Sequence, residues 1–349
     1  MIVERIRSFV ERPDEAEFEP LALAAFAYQF DRIAPYRAMC ERAGRTPQTV
    51  SAWRDVPVIP ATAFASVELA TEEPRETFRS SGTLDDARSV HRHPFPELYR
   101  AVVDATFPAA VLPAGSAAPM LSLVPPRDVV GDSSLGFMVD HVVSRFGAPG
   151  TLYACGPRGV EGGKARSWLN AHQRAGRPVV LLATSYALAD LLDFIGRIDL
   201  KFRLPPGSVV METGGFKARD REISPAELHD RLLHQLGIPA DAVVAEYGMT
   251  ELTSQAYTRT LDAGDPELFV LPPWMRVRAL DPVTLGELPA GEKGLLTFFD
   301  LANVGSALHL LTEDLGSTEP GGFRLAGRAP DAARRGCSLL AEELAARGR

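Results

Sequence analysis

One short run in this sequence combines an aromatic ring, a glycine, a hydroxyl and a carboxylate. It is Tyr247-Gly248-Met249-Thr250-Glu251, at the end of the apolar segment Ala242–Tyr247. The Tyr247 ring can stack on a nucleobase, and the Thr250 hydroxyl can reach a phosphate. The Glu251 carboxylate can hold Mg²⁺, which takes few protein carboxylates together with phosphate oxygens. Of all the motifs in the chain, this one indicates a functional site most specifically.

A second run places hydroxyl groups around a glycine, Phe78-Arg79-Ser80-Ser81-Gly82-Thr83. A flexible loop of this composition can offer backbone N–H groups and hydroxyl donors to phosphate oxygens. Taken alone, the run is more typical of an ordinary surface turn. The Walker pattern ends in Gly-Lys-Ser/Thr, which is absent here, so the run is not that of a P-loop NTPase.

A third motif is the double glycine Gly214-Gly215, which follows a predicted strand and precedes Lys217. Glycines at the carboxyl end of a strand let the backbone approach a ligand closely, at the edge where α/β folds bind ligands. By itself the motif is more often a plain turn, and Lys217 by itself is typical of a solvated charge.

The fourth motif is Leu311–Gly316, in which Asp314 is predicted to lie in a turn, with Arg328 a short distance downstream. An acidic side chain there can hold both hydroxyls of a ribose, and the arginine can add a charged donor. In isolation an Asp-Leu-Gly turn indicates little.

These motifs are positioned by apolar strands that alternate with amphipathic helices. Strands are predicted at Ala118–Val124, Pro178–Thr184, Ser208–Thr213 and Ala242–Tyr247, and helices at Leu21–Ala43, Leu135–Phe146 and Tyr186–Ile195. A further helix opens at a capping box from Ser224 to Glu227, with Pro225 at its first position. The alternation predicts an α/β fold with a largely parallel sheet.

After about residue 261 the pattern changes to short segments typical of antiparallel strands, separated by Gly/Pro turns. They are Met275–Leu280, Gly294–Phe299 and Gly322–Leu325. We therefore expect a core domain over residues 1–331, with α/β layers to about residue 260 and a β-rich subdomain over about 262–331. Residues 332–349 are expected to form a short, helical C-terminal tail.

Composition narrows the classes of function. Of the 349 residues, 46% are hydrophobic and 23% charged, and the formal net charge is −8. This balance is typical of a globular protein, and the negative charge argues against nucleic acid as a partner. The three cysteines are too few and too scattered for a disulfide framework or a zinc site. No membrane span or leader is evident, so a cytoplasmic location is expected.

The order of the motifs is more specific than any one of them. Phosphate loop, double glycine, Tyr-Gly-Met-Thr-Glu, Glu-Asp-Leu-Gly and Gly-Arg-x-x-Asp resemble the core motifs of the adenylate-forming superfamily. Within it, the sequence is similar to the acyl-protein synthetases of the LuxE type. This closer resemblance rests on the form of the phosphate loop and on Asp55–Pro60, Leu121–Pro126, Ser133–Leu135 and Arg335–Leu339.

The resemblance implies the large N-terminal-domain fold of adenylate-forming enzymes, with ATP and Mg²⁺ as cofactors. It implies a carboxylic acid as substrate, and we expect a fatty acid. It implies an acyl reductase or acyl-carrier protein as a partner. Thr250 would meet the α-phosphate and Glu251 the Mg²⁺. The residues it places around the nucleotide are Ser80, Ser81, Gly82, Thr83, Gly214, Gly215, Tyr247, Gly248, Met249, Thr250, Asp314 and Arg328.

Superfamily members carry a mobile C-terminal domain with a catalytic lysine after the Gly-Arg-x-x-Asp hinge. Only residues 332–349 follow that hinge here, so we expect the mobile domain to be missing or vestigial. Lys217 is a candidate replacement for its lysine. In acyl-protein synthetases a cysteine near the C-terminus takes the acyl group, and Cys337 stands at that position. Arg334 and Arg335 would favour its thiolate.

Several alternatives stay open. The chain could be an adenylating ligase that forms an amide, with Cys337 dispensable, or a nucleotide- or acyl-adenylate-binding protein without catalysis. Cys40 and Cys155 are interpreted as buried apolar cysteines. His91 and His93 have the spacing of a metal site on a strand, but with no third ligand evident a surface or phosphate-loop role is favoured.

Overall fold

The structure is a computed structural model that describes residues 1–80, 88–112, 117–214, 223–329 and 344. The chain divides into two compact units, each built from separate segments. The first unit comprises Met1–Ala105, Met249–Gln255 and Val270–Arg349, and the second comprises Thr106–Gly248 and Ala256–Phe269. Periodicity read along one chain does not indicate such a division, because it does not tell which distant segments pack together.

The described part of the chain contains α-helices and β-strands in the following positions. The helices are α1 (Ile2–Glu11), α2 (Glu15–Arg32), α3 (Ala34–Arg42), α4 (Pro96–Val111), α5 (Arg127–Val130), α6 (Ser134–Phe146), α7 (Gly162–Ala175), α8 (Ser185–Arg197) and α9 (Pro225–Leu236). The strands are β1 (Ile59–Pro60), β2 (Glu76–Arg79), β3 (Val90–His93), β4 (Met120–Ser122), β5 (Leu152–Tyr153), β6 (Cys155–Gly156), β7 (Gly159–Val160), β8 (Val180–Thr184), β9 (Val209–Thr213), β10 (Val243–Tyr247), β11 (Ala256–Thr258), β12 (Phe269–Val270), β13 (Met275–Leu280), β14 (Gly294–Asp300), β15 (His309–Glu319) and β16 (Gly322–Arg328).

The second unit has the predicted α/β character. Its sheet runs in the order β11-β10-β9-β8-β4-β5, and the pairs β10–β9, β9–β8, β8–β4 and β4–β5 are parallel. Helix α8 shows why the helices cover this sheet: Leu188, Leu191, Leu192 and Ile195 are all buried, at the spacing of one helical face. The parallel arrangement aligns the carboxyl ends of β9 and β10.

The helix boundaries of this unit follow local capping chemistry. Helix α6 begins after Ser133, whose side chain accepts a hydrogen bond from the Gly136 N–H, and α9 begins after Ser224, which accepts one from the Glu227 N–H. The Ser224 cap was predicted from the sequence. In both caps the serine side chain satisfies an N–H group that the first turn leaves without a partner.

The first unit holds the antiparallel strands in the order β13-β14-β15-β16, with β1 added in parallel to β15. Helices α1, α2 and α3 belong to the same unit. The predicted helix over Leu21–Ala43 is divided into α2 and α3, because Ile33 has an extended backbone and Pro35 lies in the first turn of α3.

The prediction that Asp314 lies in a turn is wrong. Residues 309–319 form the long strand β15, which is paired along its length with β14 and β16. Asp and Gly are depleted in strands, so the local sequence favours a turn. Pairing on both sides outweighs that preference, and Gly316 is needed there because an added Cβ would lie 2.2 Å from the Arg324 carbonyl oxygen.

Candidate active site

The segment that contains Thr250 and Glu251 is fixed through its backbone. His91 Nδ1 lies 2.7 Å from the carbonyl oxygen of Thr250, and Asn303 Nδ2 lies 2.8 Å from that of Glu251. Thr250 is half-buried, and Glu251 is 6% exposed. The two side chains to which the sequence assigns phosphate and metal chemistry therefore stand on a backbone that other elements hold.

Asp300 at the end of β14 anchors Thr253 and Ser254, which follow Glu251 and Leu252. Its carboxylate accepts hydrogen bonds from the N–H groups of Thr253 (3.1 Å) and Ser254 (2.9 Å) and from the Ser254 hydroxyl (2.7 Å). A fourth comes from the Ala302 N–H at 3.0 Å. Burial raises the pKa of Asp300 to about 6, while these donated hydrogen bonds favour its charged form.

The predicted phosphate loop follows β2 in the sequence and precedes β3. Ser80 and Ser89 close the base of the loop: the Ser80 N–H donates to the Ser89 carbonyl at 3.1 Å, and the Ser89 N–H donates to Ser80 Oγ at 3.0 Å. Ser80 is thus at the neck of the loop. Ser81, Gly82 and Thr83 lie outside the described residues.

The predicted ribose pair is brought together by strand pairing. Asp314 and Arg328 are Cα partners across β15 and β16, and Arg328 Nε lies 3.6 Å from Asp314 Oδ1. Arg328 also lies 3.9 Å from Glu313, and its side chain is 47% exposed. A cation and a carboxylate side by side, both reachable from solvent, fit the two hydroxyls of a ribose.

Gly214 and Tyr247 lie in the second unit at the carboxyl ends of β9 and β10. The two strands are in parallel register, with Glu246 opposite Thr213, so each named residue is the next one along its strand. A Cβ added to Gly214 would meet no described heavy atom within 4 Å. The Tyr247 ring is 7% exposed and packs edge-on against Phe269. Open space beside a glycine backbone fits the approach of a flat base.

Two polar groups near this edge make a contact that was not predicted from the sequence. The Ser185 hydroxyl, at the start of α8, donates to the carboxylate of Glu212 near the end of β9. The same hydroxyl lies 3.3 Å from the carbonyl oxygen of Thr213. Only the parallel pairing of β8 with β9 brings these groups together, and local sequence carries no signal for it.

The remaining sequence predictions divide as follows. Gly215, Lys217 and Cys337 lie outside the described residues, and Gly248 and Met249 are half-buried. Cys40 and Cys155 are buried and free, as predicted. A surface role for His91 and His93 is wrong, because both are buried, at 0% and 2% exposed.

The donor set around Glu251 fits Mg²⁺ better than a metal held by protein alone. Within the described ranges, no group of three or more His, Cys, Asp or Glu side chains could hold an ion. Mg²⁺ is usually bound through one or two carboxylates and the phosphates of a substrate. The single carboxylate of Glu251, together with phosphate oxygens of a nucleotide, would be sufficient for that mode of binding.

Comparison with known proteins identifies the family. The sequence profile described as Acyl-protein synthetase, LuxE, matches residues 164–345, which is more than half of the chain. This chain belongs to the acyl-protein synthetase (LuxE) family. The prediction from the motif order is therefore confirmed, and with it the reaction class: the synthetase is an AMP-forming ligase that activates a carboxylic acid with ATP as an acyl-adenylate.

Two curated relatives agree with this assignment. The synthetase is 22% identical over 303 residues to the long-chain-fatty-acid–luciferin-component ligase of Vibrio harveyi, covering 85% of this chain and 78% of that protein. It is 33% identical over 78 residues to the ligase of the same name from Aliivibrio fischeri, covering 20% of this chain and 21% of that protein.

Solved structures confirm the fold. A 2-hydroxyisobutyryl-CoA ligase in complex with 2-HIB-AMP and CoA superposes with a TM-score of 0.67 at 15% identity, over 90% of the synthetase and 71% of the ligase. ATP-bound MatB from Rhodopseudomonas palustris gives a TM-score of 0.53 at 18% identity, over 84% of the synthetase and 56% of MatB. The expected adenylate-forming fold is thus observed. No helix among the described residues is long and apolar enough to cross a membrane.

Proposed function

We propose that this synthetase activates a long-chain fatty acid and passes the acyl group to a protein thiol, that of Cys337. The observation that carries the proposal is the range of the family match, 164–345, which includes Cys337. The names of the two curated relatives support the choice of a long-chain fatty acid.

In the first half-reaction a carboxylate oxygen of the acid attacks the α-phosphorus of ATP. The bond from that phosphorus to the bridging oxygen breaks, and pyrophosphate leaves with the electron pair. The protein contributes position and charge rather than covalent chemistry. In this proposal Thr250 donates to the α-phosphate. Glu251 would hold Mg²⁺, whose positive charge would offset the negative charge of the phosphates.

Other residues would hold the remaining parts of the nucleotide. Asp314 accepts the ribose hydroxyls and Arg328 adds a charged donor, while Ser80, Ser81, Gly82 and Thr83 donate to the β- and γ-phosphates. Gly214, Gly215 and Tyr247 border the adenine, and Gly248 and Met249 connect that border to the metal segment.

In the second half-reaction the Cys337 thiolate attacks the acyl carbonyl carbon. The bond from that carbon to the phosphate oxygen breaks, AMP leaves, and a thioester remains. An acyl reductase or an acyl-carrier protein would then accept the acyl group from the thioester. This chemistry needs a reduced thiol, so a cytoplasmic location is part of the proposal; the free, buried Cys40 and Cys155 are consistent with it.

ATP–pyrophosphate exchange across acids from acetate to palmitate tests the activation step. We expect exchange that rises with chain length. Exchange confined to short or polar acids would contradict the fatty-acid assignment. If none of the acids supports exchange, the chain would be a nucleotide-binding protein without catalysis.

Substitution of Cys337 tests the transfer step. Cys337→Ser is expected to keep exchange and to abolish a covalent acyl-protein that neutral hydroxylamine cleaves, because hydroxylamine attacks thioesters. Intact mass after incubation with ATP and the acid measures the adduct. Cys155→Ser is the matched control and is expected to keep it. An adduct that persists in Cys337→Ser, or that never forms in the wild type, would favour an amide-forming ligase.

Lys217 is proposed to supply positive charge near the α-phosphate during adenylation. Lys217 follows Gly214 by three positions in the sequence, and Gly214 is the first residue after β9; this proximity in sequence supports the role. Lys217→Gln is expected to lower exchange by about 10-fold or more, as for the loss of one electrostatic stabiliser. Lys201→Gln, an exposed lysine in the same unit, is the control. Equal rates in the two variants would assign Lys217 to the solvated surface.

A further inference from the structure

The β2–β3 pair, whose strands flank the predicted phosphate loop in the sequence, carries two buried histidines. His91 and His93 are two positions apart on β3, so their side chains leave the same face of the strand. Their ring centroids are 5.0 Å apart, and both rings pack edge-on against Phe78 on β2. The strands that lead into and out of the predicted phosphate loop therefore also carry the histidine pair.

Each imidazole has one defined hydrogen bond. His91 Nδ1 lies 2.7 Å from the Thr250 carbonyl oxygen, and a carbonyl can only accept, so Nδ1 carries the proton. His93 Nε2 lies 2.9 Å from Thr253 Oγ1, and the direction of this bond depends on where the hydroxyl proton of Thr253 goes.

Asn303 settles that direction. Its Nδ2 donates to the carbonyl oxygens of Glu251 (2.8 Å) and Ala307 (2.7 Å), which fixes the orientation of the amide. Its Oδ1 therefore accepts the Thr253 hydroxyl proton at 2.9 Å, and Thr253 Oγ1 is left as an acceptor. It follows that His93 Nε2 donates to Thr253.

Both histidines thus act as neutral single donors toward one segment. Their other nitrogens, His91 Nε2 and His93 Nδ1, are buried and have no hydrogen-bond partner in the described part of the chain. Burial lowers the pKa of His91 to about 4, and burial also holds the pKa of His93 well below its usual value. The two donated bonds bracket residues 250–253 at both ends, with Glu251 between them.

We propose that His91 and His93 are positioning residues that lock the 250–253 segment to the hairpin bearing the phosphate loop. This inference rests on the proposed function, in which Thr250 and Glu251 act on the α-phosphate and on Mg²⁺. Neither histidine touches the nucleotide. Each acts through the backbone or hydroxyl that it holds, and the effect is a fixed placement of the 250–253 segment, with Glu251, against strands β2 and β3.

Amide side chains provide a matched test, because they reproduce one imidazole nitrogen each. The Asn amide nitrogen is two bonds from Cβ, as Nδ1 is, and the Gln amide nitrogen is three bonds away, as Nε2 is. Asn therefore keeps the donor at position 91 and loses it at position 93. Gln keeps the donor at position 93 and loses it at position 91.

We expect kcat for ATP–pyrophosphate exchange to fall about 10-fold in His91→Gln and His93→Asn, because each variant loses one hydrogen bond that positions the 250–253 segment. His91→Asn and His93→Gln should stay within about 2-fold of the wild type by the same reasoning. KM for the acid should not change. The rise in melting midpoint on adding ATP and Mg²⁺, a readout independent of turnover, should follow the same crossed pattern.

The outcomes separate this inference from its alternatives. Equal losses in all four variants, or losses that only follow their melting midpoints, would make the pair structural and overturn the proposal. Wild-type kcat in all four would also overturn it. Absence of exchange in the wild type would contradict the proposed function instead. The crossed pattern in the nucleotide-induced shift then decides the positioning role alone.

Discussion

Glu251 is 6% exposed and follows Thr250 in the chain, and its proposed metal chemistry can be removed with little change of shape. Glu251→Gln keeps the size of the side chain and removes its charge. We expect ATP–pyrophosphate exchange to fall by about 10²-fold or more, as for the loss of a preorganised electrostatic stabiliser. Titration with Mg²⁺ should show a weaker dependence in the variant.

The matched control for this prediction is Glu313→Gln. Glu313 is 19% exposed at its side chain and lies 3.9 Å from Arg328, so it changes charge near the nucleotide without touching the proposed metal ligand. It should retain most of the exchange activity. If Glu251→Gln and Glu313→Gln behave alike, the metal assignment is wrong.

At the scale of single residues, the sequence indicates candidate chemical groups but not their surroundings. The order of the motifs was enough to select Thr250, Glu251, Asp314 and Arg328, because each motif brings its own functional groups. It did not show that His91 is buried under the 250–253 segment. That contact joins residues 159 positions apart, and nothing local to either one encodes it.

At the scale of elements, strand β15 shows where local preference fails. Its Glu-Asp-Leu-Gly run has the composition of a turn, yet pairing on both sides makes it a strand, which places Asp314 opposite Arg328. The parallel strands β8, β9 and β10 were predicted nearly to their bounds, because buried parallel strands are continuous apolar runs. Local sequence identifies a strand when its residues form a buried apolar run. It fails for β15, where pairing with neighbouring strands overrides a turn-like composition.

The close packing of β15 leads to a prediction about Gly316. A Cβ there would lie 2.2 Å from the Arg324 carbonyl oxygen and 2.8 Å from Leu296 Cδ1, so the strand pair must shift to admit it. Gly316→Ala is expected to lower the free energy of unfolding by about 1–3 kcal/mol, the usual cost of overpacking. Urea unfolding followed by circular dichroism measures the change.

The control for Gly316 has the opposite expected sign. At Gly163, in the first turns of α7, an added Cβ would meet no described atom within 4 Å. Gly163→Ala should therefore raise stability by about 0.5–1 kcal/mol, because alanine loses less backbone entropy than glycine in a helix. A stable Gly316→Ala variant would show that β15 and β16 are not paired in the register described.

At the scale of the whole molecule, three buried neutral histidines make stability depend on pH. Burial lowers the pKa of His91 to about 4 and of His309 to about 3, and it lowers that of His93 as well. Arg278, whose Nη2 lies 3.3 Å from His309 Nε2, also lowers the pKa of His309. Between these values and the ordinary pKa of about 6.5, the unfolded chain binds more protons than the folded one. Stability therefore falls as the pH drops below about 6.5.

Asp300 acts in the opposite direction over part of this range. Its pKa is raised to about 6, so the folded chain binds the extra proton between about 3.8 and about 6, and acidification stabilises it there. Three histidines against one aspartate leave a net loss of stability on acidification. Urea midpoints at pH 7.5 and at pH 5 should show this fall.

His309→Asn isolates one histidine in this pH dependence. The Asn amide nitrogen stands where Nδ1 does, so the bond to the Val56 carbonyl oxygen, 2.7 Å from Nδ1, can be kept while the titrating group is removed. The slope of stability against pH between about 5 and 6 should then decrease by ~1.4 kcal/mol per pH unit, the value of one proton. His234→Asn is the control, since His234 is 68% exposed at its side chain. It should leave the slope unchanged. An equal slope in the wild type and in His309→Asn would mean that His309 is not held neutral in the folded protein, and the buried contact with Arg278 would have to be reassigned.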